Sequence, residues 1–107
     1  MKLSIIISSD NPEIIWNSFR LANLAIEMGD EVKIFLFAGA VEYEQVSTSQ
    51  FDLLEQAENF VKAQNSAIFA CGTCLRIRDQ AGTELCPVSS LQDMYGLVAE
   101  SDKVLAF

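Results

Sequence analysis

The sequence predicts an α/β domain of three layers, α/β/α, built on a mainly parallel sheet of about five strands. Three observations carry this. Short β-rich apolar runs recur along the chain, as in Leu3-Ser-Ile-Ile-Ile7 and Val32-Lys-Ile-Phe-Leu-Phe37. Between them lie segments with apolar residues at helical spacing. The junctions hold Gly, Asn, Asp, Ser and Pro where these residues stop one element and start the next.

The first strand runs from Lys2 to Ser8, its isoleucines suited to burial on both faces. Asn11 is then a good N-cap, Pro12 fits the first helical position where no N–H is needed, and Glu13 meets the positive end of the helix dipole. This helix should reach Met28 and stop at Gly29. Ile15, Phe19, Ala22 and Ile26 form its apolar stripe, widened by Leu21, Ala25 and Met28 toward Trp16. Glu31 to Ala38 reads as a second strand. Strand, helix and strand joined by tight turns form a right-handed crossover, so the strands should be parallel.

Ala40 to Ser49 shows no clear period and reads as a connector on the rim that follows the second strand, carrying Glu42, Tyr43 and Glu44. Ser47, Thr48 or Ser49 caps a helix over about residues 50–63, with Asp52 completing a weak capping box. Leu54, Ala57 and Val61 recur at helical spacing, helped by Leu53 and Phe60. The third strand spans Ser66 to Ala70 and delivers Cys71. A short helical segment follows to Arg78, then a turn over 79–84 and an extended piece at Leu85-Cys-Pro-Val88. Ser89 or Ser90 caps the last helix, on which Leu91, Met94, Tyr95 and Val98 keep one register. Lys103 to Phe107 closes the chain as a strand.

Length and charge narrow the function. A chain of 107 residues holds one domain, 1–107, with a single core. Half of it is hydrophobic and its mean hydropathy is +0.24, rich for so small a domain, so faces buried against further copies are expected. Fifteen acidic and seven basic residues leave a net charge of −8, which cannot build a basic groove for nucleic acid. No apolar run is long enough to span a membrane, and the opening residues lack the pattern of a secretory signal, so a cytoplasmic protein is expected. No nucleotide or flavin fingerprint follows the first strand, and no cofactor is expected.

Chemistry in open α/β sheets sits where a strand ends and the next helix opens, and Ala67-Ile-Phe-Ala-Cys-Gly-Thr-Cys-Leu-Arg-Ile-Arg78 makes that change within one residue. The chain has no histidine, which removes Ser-His and Cys-His catalysis within it. Its three cysteines lie close together in sequence, as reactive or metal-binding thiols do in a reducing compartment. Cys71 stands at the first turn of the helical segment, where free N–H groups favour thiolate over thiol. Gly72 and Thr73 supply such groups, and Arg76 and Arg78 bring positive charge. The competing reading is a buried, inert cysteine. Cys74, one turn on, either resolves a disulfide with Cys71 or packs as a small hydrophobe. Cys86 approaches the pair through the returning loop, and Glu42 belongs to the same rim. Three thiols without the usual second Cys-x-x-Cys make a metal site the disfavoured reading.

Ala70-Cys-Gly-Thr-Cys-Leu-Arg-Ile-Arg78, the opening Ile5-Ile-Ile-Ser-Ser9 with Asn11-Pro-Glu13, Gly29-Asp-Glu-Val32 and the final Ser101-Asp-Lys-Val-Leu105 resemble small proteins of the DsrE/DsrF-like family. The resemblance covers nearly the whole chain. It implies a DsrE-like domain of flavodoxin-like topology, assembly into trimers or hexamers, and a role in sulfur metabolism. Cys71 matches the position at which a relay cysteine carries a persulfide between donor and acceptor proteins, whereas Cys74 matches only a subgroup. Three functions stand at this point. The first is sulfur handling, with Cys71 accepting sulfane sulfur and passing it to a partner thiol. The second is a thiol–disulfide oxidoreductase using Cys71 and Cys74, and the third a non-catalytic oligomeric binding module.

Overall fold

The computed structural model describes all 107 residues. Five strands form one sheet: β1 (Lys2–Ile7), β2 (Glu31–Leu36), β3 (Ser66–Cys71), β4 (Val88–Ser89) and β5 (Lys103–Ala106). Every pairing is parallel. Leu3 lies opposite Val32 and Lys103, Val32 lies opposite Ser66, and Cys71 lies opposite Ser89. The order across the sheet is β4-β3-β2-β1-β5.

This order follows from the placement of the helices. Helix α1 (Pro12–Glu27) and helix α3 (Leu53–Val61) put Ile15, Phe19, Ala22, Leu53, Ala57 and Phe60 into one cluster with Leu3, Ile5, Ile7, Val32, Ile34, Leu36 and Ile68. They therefore cover the same face, and right-handed crossovers on one face must step the same way, from β1 to β2 to β3. The short α4 (Gly72–Ile77) adds Leu75 to that cluster and continues to β4. The return to β1's free edge runs in the opposite direction, so its helix must use the opposite face. There α5 (Leu91–Glu100) buries Leu97 against Ile6 and Phe35. The result is the expected three-layer architecture, with one departure. Flavodoxin-like topology has the order 2-1-3-4-5, which reverses after the second strand; here no reversal occurs until β5.

The local signals set most boundaries. The Asn11 side chain accepts from the N–H groups of Glu13 and Ile14 at 2.9 and 3.2 Å, Pro12 opens α1, and Gly29 follows it at φ 94°. Ser90 caps α5 in a reciprocal capping box with Asp93. At the centre of the larger cluster, Phe19 lies 5.5 Å from Tyr43 and 6.2 Å from Phe60 between ring centroids. No helix is long and apolar enough to cross a membrane.

Four expectations need correction. Helix α3 begins at Leu53, because Asp52 caps it by accepting the Glu55 N–H at 3.0 Å. Ser47 and Thr48 instead accept from Leu53 and Phe51, so residues 47–51 form a turn. The segment after β2 is no solvated connector. It is a 3-10 turn, Ala38–Glu42, running into α2 (Tyr43–Val46), and it buries Ala40, Val41 and Tyr43, whose hydroxyl donates to the Leu85 carbonyl. The edge strand falls at Val88–Ser89, since Pro87 has no N–H for the ladder and offers only its carbonyl, to the Ala70 N–H at 2.9 Å. Finally, the helical stripes are narrower than they read. Leu21, Met28 and Val61 are exposed, and α5 turns Leu97 to the sheet while Leu91, Tyr95 and Val98 face outward.

Phe19 tests this packing. Phe19→Ala should cost about 3–5 kcal/mol, because the side chain is fully buried between α1, α2 and α3. Met28→Ala, at an exposed position, should stay within about 0.5 kcal/mol of the parent. Urea melts of the two variants measure the contrast.

Candidate functional site

Cys71 is at once the last residue of β3 and the N-cap of α4. Its φ and ψ of −61° and 113° are extended, yet the next residue is already helical. The first N–H groups of a helix lack intrahelical acceptors. Here the Cys71 Sγ takes that part, accepting from the Cys74 N–H at 3.3 Å. Cys71 is half-buried and borders a cleft of about 460 Å³. Gly72, Thr73 and Arg76 line one side of this cleft, and Ser89, Ser90, Leu91 and Gln92 line the other. The N-terminal ends of α4 and α5 thus meet across one opening.

Arg76 is the cation of the cleft. Its guanidinium donates to Thr73 Oγ1 at 3.1 Å. The two ion pairs in the chain are Met1 with Asp30 and Arg78 with Glu42, so no carboxylate neutralises Arg76. In a chain of net charge −8 this favours an anion at that spot. Arg78 is placed differently. It bonds Glu42 at 3.2 Å and donates to the Cys74 carbonyl at 3.2 Å, tying α4 to the segment after β2. Glu42 is thus engaged with Arg78 and does not line the cleft.

Cys74 points toward that same segment. Its Sγ accepts from the Ala38 N–H at 3.2 Å. Ala38 holds a left-handed φ of 51°, a conformation that costs a residue with a Cβ about 1–2 kcal/mol. Burial pushes the Cys74 thiol up, and its hydrogen bond with Cys71 adds to this, while the Ala38 N–H and the Arg78 charge oppose it. Cys86 is not part of the cleft. It is 2% exposed within the main core cluster, and its Sγ donates to the Val41 carbonyl at 3.6 Å. Burial, with a smaller contribution from the Glu44 charge, pushes its thiol up to about 12.

The turn leading to β4 shapes the far wall. Thr83 bridges antiparallel to Cys86, and Thr83 Oγ1 donates to Glu44 at 2.6 Å. A Cβ at Gly82 would lie 2.5 Å from Val88 Cγ2 and 2.9 Å from the Cys86 carbonyl oxygen, so the backbone here presses directly on β4. Five contributors carried little or no signal in the sequence. Ser89, Ser90, Leu91 and Gln92 reach the cleft only through the pairing of β4 with β3, and no local pattern announces that. Ala38 carried a weak signal, as the residue that ends an apolar run just before a glycine.

Burial of Cys86 and Tyr43 has a consequence in alkali. Both bind a proton more tightly in the folded chain, mainly through burial. Above pH 9 the unfolded chain ionises first, so stability should hold below about pH 9 and fall steadily as the pH rises toward about 12. Urea melts between about pH 8 and about pH 11 give the slope, and Cys86→Ser should reduce it. At about pH 8 in the native protein, alkylation should reach Cys71 and spare Cys86.

Over 100% of both chains the structure matches the crystal structure of the ychN protein from E. coli, with a TM-score of 0.81 and 24% sequence identity. That likeness is one of fold. Among curated proteins, none matches the sequence. The model of the DsrE/DsrF-like family matches residues 1–107. The match takes in every strand of the sheet and the junction at Cys71, and the chain belongs to the DsrE/DsrF-like family.

Proposed function

We propose that the protein is a sulfur carrier in which Cys71 accepts a sulfane sulfur atom as a persulfide and hands it to a partner thiol. Family membership supports a protein of the general sulfur-relay type. The observation that carries the finer reading is the setting of Cys71. Its Sγ takes a helical N–H and opens on a cleft whose one cation, Arg76, has no carboxylate partner. In the loading step the Cys71 thiolate attacks the outer sulfur of a donor persulfide; the new S–S bond forms as the donor leaves as a thiolate. The product is anionic, and the Arg76 charge and the free N–H groups at the start of α4 suit it. Gly72 and Thr73 contribute backbone to that opening, with Gly72 buried against Val88 and Ser89. None of these steps requires an imidazole, in keeping with a chain that has no histidine. Three free thiols suit a reducing compartment such as the cytoplasm.

The same reading includes self-association into a trimer or hexamer. Leu91 and Tyr95 on α5 are 73% and 76% exposed, and Val98 on α5, Val104 and Leu105 on β5 and the terminal Phe107 add further apolar surface. Single exposed apolar side chains are ordinary, but six within residues 91–107 make a surface that another copy would dry.

Two measurements test these statements. After incubation with glutathione persulfide, peptide masses should place one added sulfur on Cys71, and Cys71→Ser should lose it; labelling that survives the substitution refutes the assignment. Sedimentation at micromolar concentration should give a trimer or hexamer, and Tyr95→Glu should shift it toward smaller species. A clean monomer of the parent protein refutes self-association.

A further inference from the structure

We propose that Cys74 is the resolving thiol of the Cys71 persulfide, so that a loaded protein lacking an acceptor releases hydrosulfide and closes a Cys71–Cys74 disulfide. The inference rests on the sulfur-carrier reading of Cys71 and adds an activity to it. Two contacts prepare the step. The Cys74 N–H holds Cys71 Sγ at 3.3 Å, and the left-handed Ala38 directs its own N–H to Cys74 Sγ at 3.2 Å. Cys71 is the N-cap of α4 and Cys74 its third residue, so one turn separates the two cysteines.

Burial raises the Cys74 thiol, and the neighbouring Cys71 raises it further. The Ala38 N–H and the Arg78 guanidinium remain beside Cys74 to favour its thiolate.

The step balances as follows. Cys74 Sγ attacks the inner sulfur, Cys71 Sγ, and forms the Cys71–Cys74 bond. The bond from Cys71 Sγ to the terminal sulfur breaks, its electron pair leaves on that sulfur, and the proton of the Cys74 thiol goes with it as hydrosulfide. The two cysteine sulfurs are oxidised to a disulfide and the sulfane sulfur is reduced to sulfide. A low-molecular-weight thiol, two equivalents per disulfide, restores the starting state and is itself oxidised to its disulfide.

The full chain tests this directly. Wild type, Cys74→Ser and Cys74→Ala are loaded with glutathione persulfide and desalted; persulfide is then followed by intact mass and hydrosulfide by bimane trapping, both normalised to the loaded fraction. Wild type should release one hydrosulfide per loaded Cys71 and lose two hydrogens relative to the unloaded thiol form, while both variants should hold the persulfide about tenfold longer or more. Release from both variants at the wild-type rate, or a lasting persulfide in wild type, overturns the role of Cys74 and leaves the carrier reading intact. A wild-type protein that takes up no sulfur at all overturns the carrier reading and this inference with it.

Discussion

Residue 71 has to satisfy two geometries at once. Its backbone closes the β3 ladder opposite Ser89, and within one peptide it opens α4, so its half-buried side chain sits at the border of both core clusters. Alternation along β3 settles the direction. Ile68 and Ala70 belong to the cluster under α1 and α3, which leaves Phe69 and Cys71 toward the α5 cluster, with Cys71, at the strand's end, touching the larger cluster as well. A shift of one residue in register would send the thiol beneath α4 instead. The cleft, the N-cap contact and the approach of α5 all depend on that parity, which the long β1–β2–β3 ladders hold in place.

The handedness of crossovers supplies the other wall. Since three successive crossovers use one face, the last helix is alone on the other, and its N-terminus starts where the two-residue β4 ends. Ser90 therefore lies across from Cys71, even though the two are widely separated along the chain. One helix cannot cover a whole sheet face. Phe37 and Phe69 remain half-buried there, and the outward side of α5 carries Leu91 and Tyr95.

Much of this was legible in the residues. Asn11-Pro12-Glu13 and Ser90 declared their helix starts because capping is local chemistry, and β1 and β2 declared themselves because buried strands carry near-continuous apolar runs. Cys71 was legible for the same reason: the change from Ala70 to Gly72 is a change of period. What stayed hidden depends on distant partners. The order of strands follows from which face each helix chooses, and α1 has Leu21 and Met28 bordering its stripe although only the sheet decides that they stay outside. Arg76 and Arg78 are two residues apart and identical in type, yet one borders the cleft and the other is spent on Glu42, a partner that only the fold of the 38–46 segment brings near. Cys86 looked like a third thiol for the pair until the burial of Val41 and Leu75 around it is taken into account.

The contact at Gly82 reaches further than its own turn. Because no atom fits between that α-carbon and Val88, the loop acts as a wedge driven to full depth, and β4 sits where the wedge stops. Any side chain there would lever the two-residue strand off its neighbour and carry Ser89 and the start of α5 with it. The wall opposite the thiol is thus held in place by a residue that does not line the cleft.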